Sequence, residues 1–355
     1  MSRFLSKEYA PLKEYVPGEQ PRDRRYIKLN TNESPYPPSP AVLAAVSAAA
    51  AEKLCLYSDP ESKDLKEALA ALYGCKKENV FVSNGSDDIL NFAFMAFGKV
   101  KGVAFPDISY GFYSVFADLH GLDAKVIPLR EDFTVDVDAY CNIGRMVVLA
   151  NPNAPTGIAL PLSEIEKIVS SNPDQLVLID EAYVDFGAES AMSLIEKYDN
   201  LLVVQTFSKS RSMAGARLGY AFASEEIIKD LEKIKYSTNP YNVNRITQAA
   251  GVAALSEQSY YDANCRRIME TREFTREALI KMGFTVTPSA TNFLFAKHER
   301  VSGEEIYLRL KENGVLVRHF SAPRIGDFNR ITVGTREEME TMLAALKGIL
   351  ERSDL

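Results

Sequence analysis

Between about residues 30 and 239, short apolar runs alternate with amphipathic stretches that are long enough to form helices. The runs predicted as buried strands cover residues 80–82, 103–105, 126–128, 147–150, 176–179, 201–206 and 218–223. Strands that are separated by helices form a largely parallel sheet with helices packed on its two faces. The pattern therefore predicts an α/β fold, with a three-layer large domain around a mainly parallel, seven-stranded sheet.

After residue 239 the pattern changes to a long, charge-rich helix near residues 243–279, with strands near 285–287, 292–296, 315–318 and 330–333. A closing helix near 337–350 completes what we interpret as a smaller α+β domain. The 355 residues are also more than one hydrophobic core usually absorbs. We expect an N-terminal arm (1–29) that belongs partly to the small domain, a large domain (30–240) and a small C-terminal domain (241–355).

The charge balance and the cysteine content argue against several kinds of partner. Acidic residues number 48 and basic residues 41, and the net charge of −7 argues against nucleic acid as a partner. The four cysteines contain no Cys-x-x-Cys pair, and the three histidines show no metal-ligand spacing, so we expect neither a disulfide framework nor a metal site. Scattered cysteines suit a reducing compartment, which predicts a cytoplasmic location.

The sequence also predicts no membrane association. Residues 1–15 mix acidic and basic side chains and lack the apolar region of a signal peptide. The most apolar stretch, residues 41–51, is too short to span a bilayer and is followed at once by charged residues.

Polar segments follow four of the predicted strands, at the edge of a parallel sheet where ligands bind. Segment 83–88 (Ser-Asn-Gly-Ser-Asp-Asp) runs into a helix, and the free N–H groups of a helix N-terminus suit a phosphate. Segment 151–157 (Asn-Pro-Asn-Ala-Pro-Thr-Gly) is a rigid polar turn. Asp180 ends another strand, where a buried carboxylate needs a cationic partner. Segment 206–217 holds Thr206, Ser208, Lys209 and Arg217 around one strand end.

Each of these segments alone could be a helix cap or a surface charge. Together they supply a phosphate cradle, a nucleophilic amine and a buried acid. The sequence contains no G-x-G-x-x-G or P-loop motif for a nucleotide, and no G-x-S-x-G or H-E-x-x-H motif for hydrolysis. A phosphate site beside a lysine and an aspartate, without nucleotide motifs, is what pyridoxal phosphate requires.

The sequence resembles the fold-type I pyridoxal-phosphate aminotransferases, and among them the histidinol-phosphate aminotransferases, from about residue 15 to residue 336. The matching segments are 29–35 (Leu-Asn-Thr-Asn-Glu-Ser-Pro), 83–87, 151–157, 180–183 (Asp-Glu-Ala-Tyr), 206–209 (Thr-Phe-Ser-Lys), 214–217, 240–244 and 330–336 (Arg-Ile-Thr-Val-Gly-Thr-Arg). The resemblance implies pyridoxal 5'-phosphate as the cofactor. It also implies amino transfer between histidinol phosphate and 2-oxoglutarate, giving imidazole acetol phosphate and glutamate, as a step of histidine biosynthesis.

The resemblance also implies a role for individual residues. Lys209 forms the Schiff base and then acts as the base of the proton shift, while Asp180 faces the pyridine nitrogen. Tyr183 donates to the phenolic oxygen of the cofactor, and Tyr110 stacks on its ring. The residues implied to hold the phosphate are Gly85, Ser86, Asp87, Thr206, Ser208 and Arg217. Tyr57 matches a tyrosine that reaches the phosphate from the partner subunit, which implies a homodimer with shared active sites.

Arg330 matches an arginine that binds an anionic group of the substrate, for which a bidentate guanidinium is suited. Asn32 lies in the segment that lines the substrate pocket of this family. One position departs from the family pattern: where related sequences have an asparagine that bonds the phenolic oxygen, this chain has Ala154. Either Asn153 replaces that contact through a shifted turn, or Tyr183 makes it alone.

Four other functions remain open at this point. An aromatic amino-acid aminotransferase and a threonine-phosphate decarboxylase share most of these segments and differ in substrate. A ligand-sensing module of a transcription regulator would carry a DNA-binding domain, and about 30 residues without a helix-turn-helix pattern precede the large domain. The fourth alternative is that the chain is a soluble α/β protein that binds no cofactor.

Overall fold

The structure is a computed structural model that describes residues 5–353. The first four residues of the predicted N-terminal arm and the last two of the predicted C-terminal domain lie outside the described residues. The described strands are β1 (Ile27–Leu29), β2 (Val80–Ser83), β3 (Val103–Pro106), β4 (Ala124–Ile127), β5 (Met146–Ala150), β6 (Val177–Asp180), β7 (Leu201–Thr206), β8 (Gly219–Ala223), β9 (Phe284–Val286), β10 (Phe293–His298), β11 (Val315–His319) and β12 (Phe328–Thr332).

The helices connect these strands and cover the sheets. They are α1 (Pro40–Ala45), α2 (Ala48–Ala51), α3 (Lys63–Tyr73), α4 (Ser86–Lys101), α5 (Phe112–Leu119), α6 (Leu162–Ser171), α7 (Glu225–Thr238), α8 (Arg245–Leu255), α9 (Gln258–Lys281), α10 (Gly303–Glu312) and α11 (Arg336–Ser353). Short 3-10 helices occur at Glu52–Cys55, Lys77–Asn79, Val137–Tyr140, Val184–Phe186, Ala191–Leu194 and Ala214–Ala216.

The larger sheet has seven strands in the order β2-β8-β7-β6-β5-β3-β4. Strand β8 runs antiparallel to both β2 and β7, and the remaining pairs are parallel. Helices α3, α6 and α8 contribute to the apolar core on one face, and α4, α5 and α7 to the core on the other. The predicted three-layer α/β fold with a mainly parallel seven-stranded sheet is therefore confirmed.

The smaller sheet has the order β1-β11-β12-β10-β9, in which β1 pairs parallel with β11 and the other pairs are antiparallel. Its core receives apolar side chains from α9, α10 and α11. Helix α8, which lies beyond the predicted boundary at residue 240, packs against α1 and α3 and joins the core of the larger sheet. The division of the chain at that boundary stays a prediction.

Two sequence-based predictions about single elements were wrong. The run at 126–128 was predicted as a buried strand, but β4 is an edge strand in which Val126 is 50% exposed. The long helix predicted near 243–279 is interrupted, because Ser256 caps α8 and the backbone of Glu257 leaves the helical conformation before α9 begins. The interruption lets α8 pack on the larger sheet while α9 continues to the smaller one.

The described residues include neither a membrane-spanning helix nor a metal-binding cluster. No helix within residues 5–353 is both long and apolar enough to span a membrane. In the same part of the chain, no group of three or more His, Cys, Asp or Glu side chains is arranged to hold a metal ion.

Candidate active site

The turn from β2 into α4 forms a backbone cradle at one end of the candidate site. Gly85 caps the helix with φ +90°, a conformation that favours glycine. A Cβ on Gly85 would lie 2.7 Å from Nη2 of Arg217, so the arginine approaches the backbone closely because the side chain is absent. The first turn of α4, beginning at Ser86, presents free N–H groups and the positive end of the helix dipole at this point.

The segment after β7 brings Lys209 to the same edge of the sheet. Lys209 Nζ donates to the carbonyl oxygen of Thr31 at 3.4 Å and lies 5.7 Å from the centre of the Tyr183 ring. Thr206 and Ser208 are buried, with Thr206 Oγ1 donating to Ser208 Oγ at 3.0 Å. The strand end therefore presents two hydroxyls and one amine together.

Asp180 ends β6, which is the neighbour of β7 in the sheet, and its side chain is buried. Its carboxylate accepts hydrogen bonds from neutral donors, the hydroxyl of Tyr113 at 2.8 Å and the backbone N–H of Ala182 at 3.2 Å. Burial raises the pKa of the Asp180 carboxyl from its ordinary 3.8 to about 6, against the lowering effect of these two hydrogen bonds. A cation bound next to this carboxylate would offset the cost of its burial.

The carboxylate of Asp87 connects the cradle to an aromatic side chain. It accepts a hydrogen bond from the hydroxyl of Tyr110 at 2.7 Å and pairs with Arg217 Nη2 at 3.0 Å. Burial raises the pKa of the Tyr110 hydroxyl, and the charge of Asp87 raises it further. Since the carboxylate is committed to these two partners, Asp87 offers its backbone N–H group to an anion in the cradle.

One cavity of about 160 Å³ joins these parts. The predicted site residues that line it are Ser86, Asp87, Tyr110, Asp180, Tyr183, Thr206, Ser208, Lys209 and Arg217, and Ala154 lines it as well. Asn153 is not among the lining residues. Its amide donates to the carbonyl of Ile108 at 3.0 Å and to Thr156 Oγ1 at 2.9 Å, and its oxygen accepts from Ser109 at 2.8 Å.

A second, larger cleft opens from the cavity toward the smaller sheet. Lys209 and Tyr183 line both, and the cleft also contains Asn32 and Arg330. Arg330 donates to the carbonyl of Asn30 at 3.1 Å, and its Nε is buried without a hydrogen-bond partner among the described residues. The structure therefore brings both predicted substrate residues to the same cleft as Lys209.

Tyr57, another predicted site residue, lies apart from both the cavity and the cleft within this single chain. Its side chain is 78% exposed, and its ring stacks on Tyr241 with centroids 4.5 Å apart. Leu54 and Leu56 beside it are also exposed, at 57% and 59%. These side chains form an apolar surface patch of the kind that marks a contact with another protein surface.

The sequence did not single out three residues that the structure places in the site. Tyr113 holds Asp180, but in the sequence it lies in an apolar helical run and looks like any core aromatic residue. Arg318 pairs with Arg330 across β11 and β12 and lines the cleft, and its position at a predicted strand end was an available signal. Tyr15 stacks on Phe112 at 4.2 Å, a contact between the arm and α5 that no local pattern reveals.

Residues 24–346 match the family described as aminotransferase class I and II. The chain belongs to this family. It is 51% identical over 351 residues to a histidinol-phosphate aminotransferase of a Marinomonas species. The aligned region covers 98% of this chain and 99% of that relative. It is 47% identical over 353 residues to a histidinol-phosphate aminotransferase of Brachyspira hyodysenteriae, covering 99% of this chain and the whole relative.

One of the similar solved structures contains a bound ligand. The histidinol-phosphate aminotransferase of Sinorhizobium meliloti in complex with pyridoxal-5'-phosphate is similar to this aminotransferase with a TM-score of 0.84 and 26% identity, over 93% of this chain and 92% of that one. Two features of the present chain fit such a group. The absence of a Cβ at Gly85 lets the Arg217 guanidinium approach the cradle backbone, where both can contact a phosphate. Among the described residues the buried Asp180 carboxylate accepts hydrogen bonds from neutral donors, so a protonated pyridine nitrogen would supply a direct positive partner.

Proposed function

We propose that this aminotransferase moves an amino group between histidinol phosphate and 2-oxoglutarate, with pyridoxal phosphate held by Lys209. The observation that carries the proposal is the continuous cleft in which Lys209, Arg318 and Arg330 lie together. Both substrates are anions, one a phosphate ester and the other a dicarboxylate, so one pocket has to accept either. The names of the two relatives that match over the full length of the chain support histidinol phosphate as one of the substrates.

The two arginines are suited to binding an anion. Arg318 and Arg330 are directly paired in the antiparallel register of β11 and β12, so their side chains leave the same face of the small sheet. Like charges directly opposite each other are destabilising unless a counter-ion lies between them. Arg318 donates to the carbonyls of Val16 and Pro17 at 3.1 and 3.2 Å, so the arm forms one wall of this pocket.

The reacting groups are proposed as follows. Bound pyridoxal phosphate supplies a ring that accepts the electron pair released when the amino carbon loses a proton. Lys209 Nζ would hold the cofactor and would be the base that moves that proton. Asp180 would pair with the protonated ring nitrogen, and Tyr183 would donate to the phenolic oxygen. The groups proposed to bind the phosphate are the backbone at Gly85, Ser86 and Asp87, the hydroxyls of Thr206 and Ser208, and the guanidinium of Arg217, while Tyr110 covers one face of the ring.

We also propose that the active protein is a homodimer located in the cytoplasm. The support is the exposed apolar patch around Tyr57, which a monomer would leave in water. In the dimer, Tyr57 would contribute to the phosphate site of the partner subunit, and each site would be incomplete without it.

Spectroscopy of the purified holoenzyme tests the reaction. Glutamate alone is expected to convert the visible absorbance of the lysine-bound cofactor to that of its aminated form, and histidinol phosphate is expected to do the same. Lys209→Ala removes the covalent attachment, whereas Lys229→Ala, on the exposed face of α7, is the matched control that retains it. If Lys209→Ala still binds the cofactor covalently, the proposal is wrong.

Substrate comparison separates the two other enzymes on the same scaffold. Histidinol phosphate is expected to react with a higher kcat/KM than phenylalanine or unphosphorylated histidinol. A preference for phenylalanine would make the protein an aromatic amino-acid aminotransferase. Carbon dioxide release from phosphothreonine would make it a decarboxylase.

Subunit mixing tests the shared site. Lys209→Ala and Tyr57→Ala are each expected to be impaired alone, but a hybrid dimer of the two contains one site with both residues intact. Activity recovered on mixing supports the shared site. If the hybrids show no more activity than the two variants measured separately, Tyr57 does not act across the interface.

A further inference from the structure

The cavity lacks a side-chain donor at the position of Ala154, which lines it with a methyl group. The neighbouring Asn153 does not replace that donor, because its amide and its carbonyl oxygen are both bound inside the loop. Any hydrogen bond to the phenolic oxygen of the proposed cofactor must therefore come from elsewhere. Tyr183, whose ring lies beside Lys209, is the remaining predicted donor.

The hydroxyl of Tyr183 has a partner that the sequence did not reveal. Asn32 Nδ2 donates to Tyr183 Oη at 2.8 Å. Asn32 is 1% exposed, and its backbone has φ +55° in the left-handed region. The contact joins the segment after β1 to the segment after β6, which lie 151 residues apart in the chain.

The orientation of the Asn32 amide is fixed by Thr332 of β12. Thr332 Oγ1 accepts the backbone N–H of Asn32 at 3.0 Å, and its single proton is donated to Asn32 Oδ1, also at 3.0 Å. The amide oxygen is therefore occupied, and the amide nitrogen faces Tyr183. Because Tyr183 accepts this bond through its oxygen, its own proton is left free to be donated into the cavity.

We propose that Asn32 is a positioning residue that aims and strengthens the hydrogen bond from Tyr183 to the cofactor, and so compensates for the alanine at position 154. A hydroxyl that accepts a hydrogen bond becomes a stronger donor, since such bonds polarise one another. Thr332 completes the arrangement from the small sheet, so the electronic tuning of the cofactor depends on both sheets. The proposal rests on the roles assigned above to Lys209 and Tyr183, and it differs from the expected role of Asn32 as a substrate contact.

A pH titration of the visible absorbance of the holoenzyme measures this hydrogen bond without turnover. A donor to the phenolic oxygen stabilises the negative charge that this oxygen carries once the lysine–cofactor linkage has lost its proton. Removing the donor therefore raises the pH of the spectral midpoint. We expect Tyr183→Phe to raise the midpoint by about one pH unit or more, and Asn32→Gly by about half a unit. Glycine is chosen because it adopts φ +55° without strain.

A double-mutant cycle shows whether Asn32 acts through Tyr183. In the Tyr183→Phe background, Asn32→Gly is expected to cause no further shift. In the Ala154→Asn background, which restores a direct donor, Asn32→Gly is expected to shift the midpoint less than in the wild type. A full additional shift in the Tyr183→Phe protein would overturn the proposal, and so would an unchanged midpoint with a raised KM, which would identify Asn32 as a substrate contact alone.

Thr332 provides a second test if Asn32→Gly folds poorly. Thr332→Val keeps the shape of the side chain but removes the hydroxyl, and it is expected to shift the midpoint in the same direction. Thr332→Ser keeps the hydroxyl and is the matched control, for which no shift is expected. Equal midpoints for the valine and serine variants would contradict the proposal. A failure of the proposed function would give a different result from a failure of this inference. In that case the visible band of the lysine-bound cofactor would persist in the Lys209→Ala protein.

Discussion

The buried carboxyl of Asp180 makes the stability of the cofactor-free protein depend on pH, and Asp180→Asn isolates its contribution. Asparagine has nearly the same shape and carries no charge, so Asp180→Asn removes the cost of burying the charged form. That cost appears as the rise of the Asp180 pKa from its ordinary 3.8 to about 6, caused first by desolvation. At 5% exposure the side chain is poorly screened by water.

The sign follows from proton binding. Between about pH 4 and pH 6 the folded protein binds a proton at Asp180 that the unfolded chain has already released, so the free energy of unfolding falls as the pH rises through this window. One pKa unit corresponds to about 1.4 kcal/mol, which gives a total of about 3 kcal/mol. Relative to the wild type, Asp180→Asn is therefore expected to gain about 3 kcal/mol of stability between pH 4 and pH 7.

Urea unfolding of the two cofactor-free proteins at a series of pH values measures this difference. Burial also raises the pKa of Glu181, to about 7, but Glu181 is present in both proteins and cancels in the difference. Asp230→Asn, on the exposed surface of α7, is the matched control for the loss of one carboxylate. A pH-independent difference for Asp180→Asn would refute the reasoning.

Three further changes probe the same site. Tyr113→Phe removes the hydroxyl that donates to Asp180 at 2.8 Å, so we expect the Asp180 pKa to rise by about one more unit. In the same unfolding series, the pH range over which the free energy of unfolding falls should then extend to higher pH. An unchanged pH range would contradict this. Arg330→Lys loses bidentate pairing and is expected to raise KM for 2-oxoglutarate about tenfold to a hundredfold with little change in kcat. If kcat falls as much as kcat/KM, Arg330 acts in the chemical step instead. Gly85→Ala places a Cβ 2.7 Å from a guanidinium nitrogen and is expected to weaken pyridoxal-phosphate binding about tenfold or more. Gly121→Ala, also at positive φ but with nothing within 4 Å, is its control in a cofactor titration, and equal affinities would contradict the cradle.

The larger sheet was predictable because most of its strands are buried and apolar, although its edge strand β4 is exposed. Strand β7, for example, is buried along all six residues, and its first four, Leu201–Val204, form a continuous apolar run. Strand β1 was missed because it has three residues, includes Lys28, and pairs with a strand near the other end of the chain. A pairing between such distant segments leaves no local pattern in the sequence.

The site was predictable where its residues follow strands, and not where side chains reach across the fold. Asp180 ends β6 and Lys209 follows the end of the neighbouring β7, so their proximity follows from the order of a parallel sheet. The bond from Asn32 to Tyr183 depends on the placement of two loops, and the pairing of Arg318 with Arg330 depends on strand register. Neither arrangement is encoded by residues that are neighbours in the sequence.

The contact between Asn32, which follows β1, and Thr332 of β12 has a consequence for biosynthesis. Asn32 leaves the ribosome 300 residues before Thr332, which holds its amide. The larger sheet can assemble around Lys209 once α8, which completes its core, has emerged, since domains fold as units during synthesis. The nascent chain therefore carries its reactive lysine for more than a hundred residues before the group that orients Tyr183 is in place, and the part of the active site that one subunit supplies is complete only with β12.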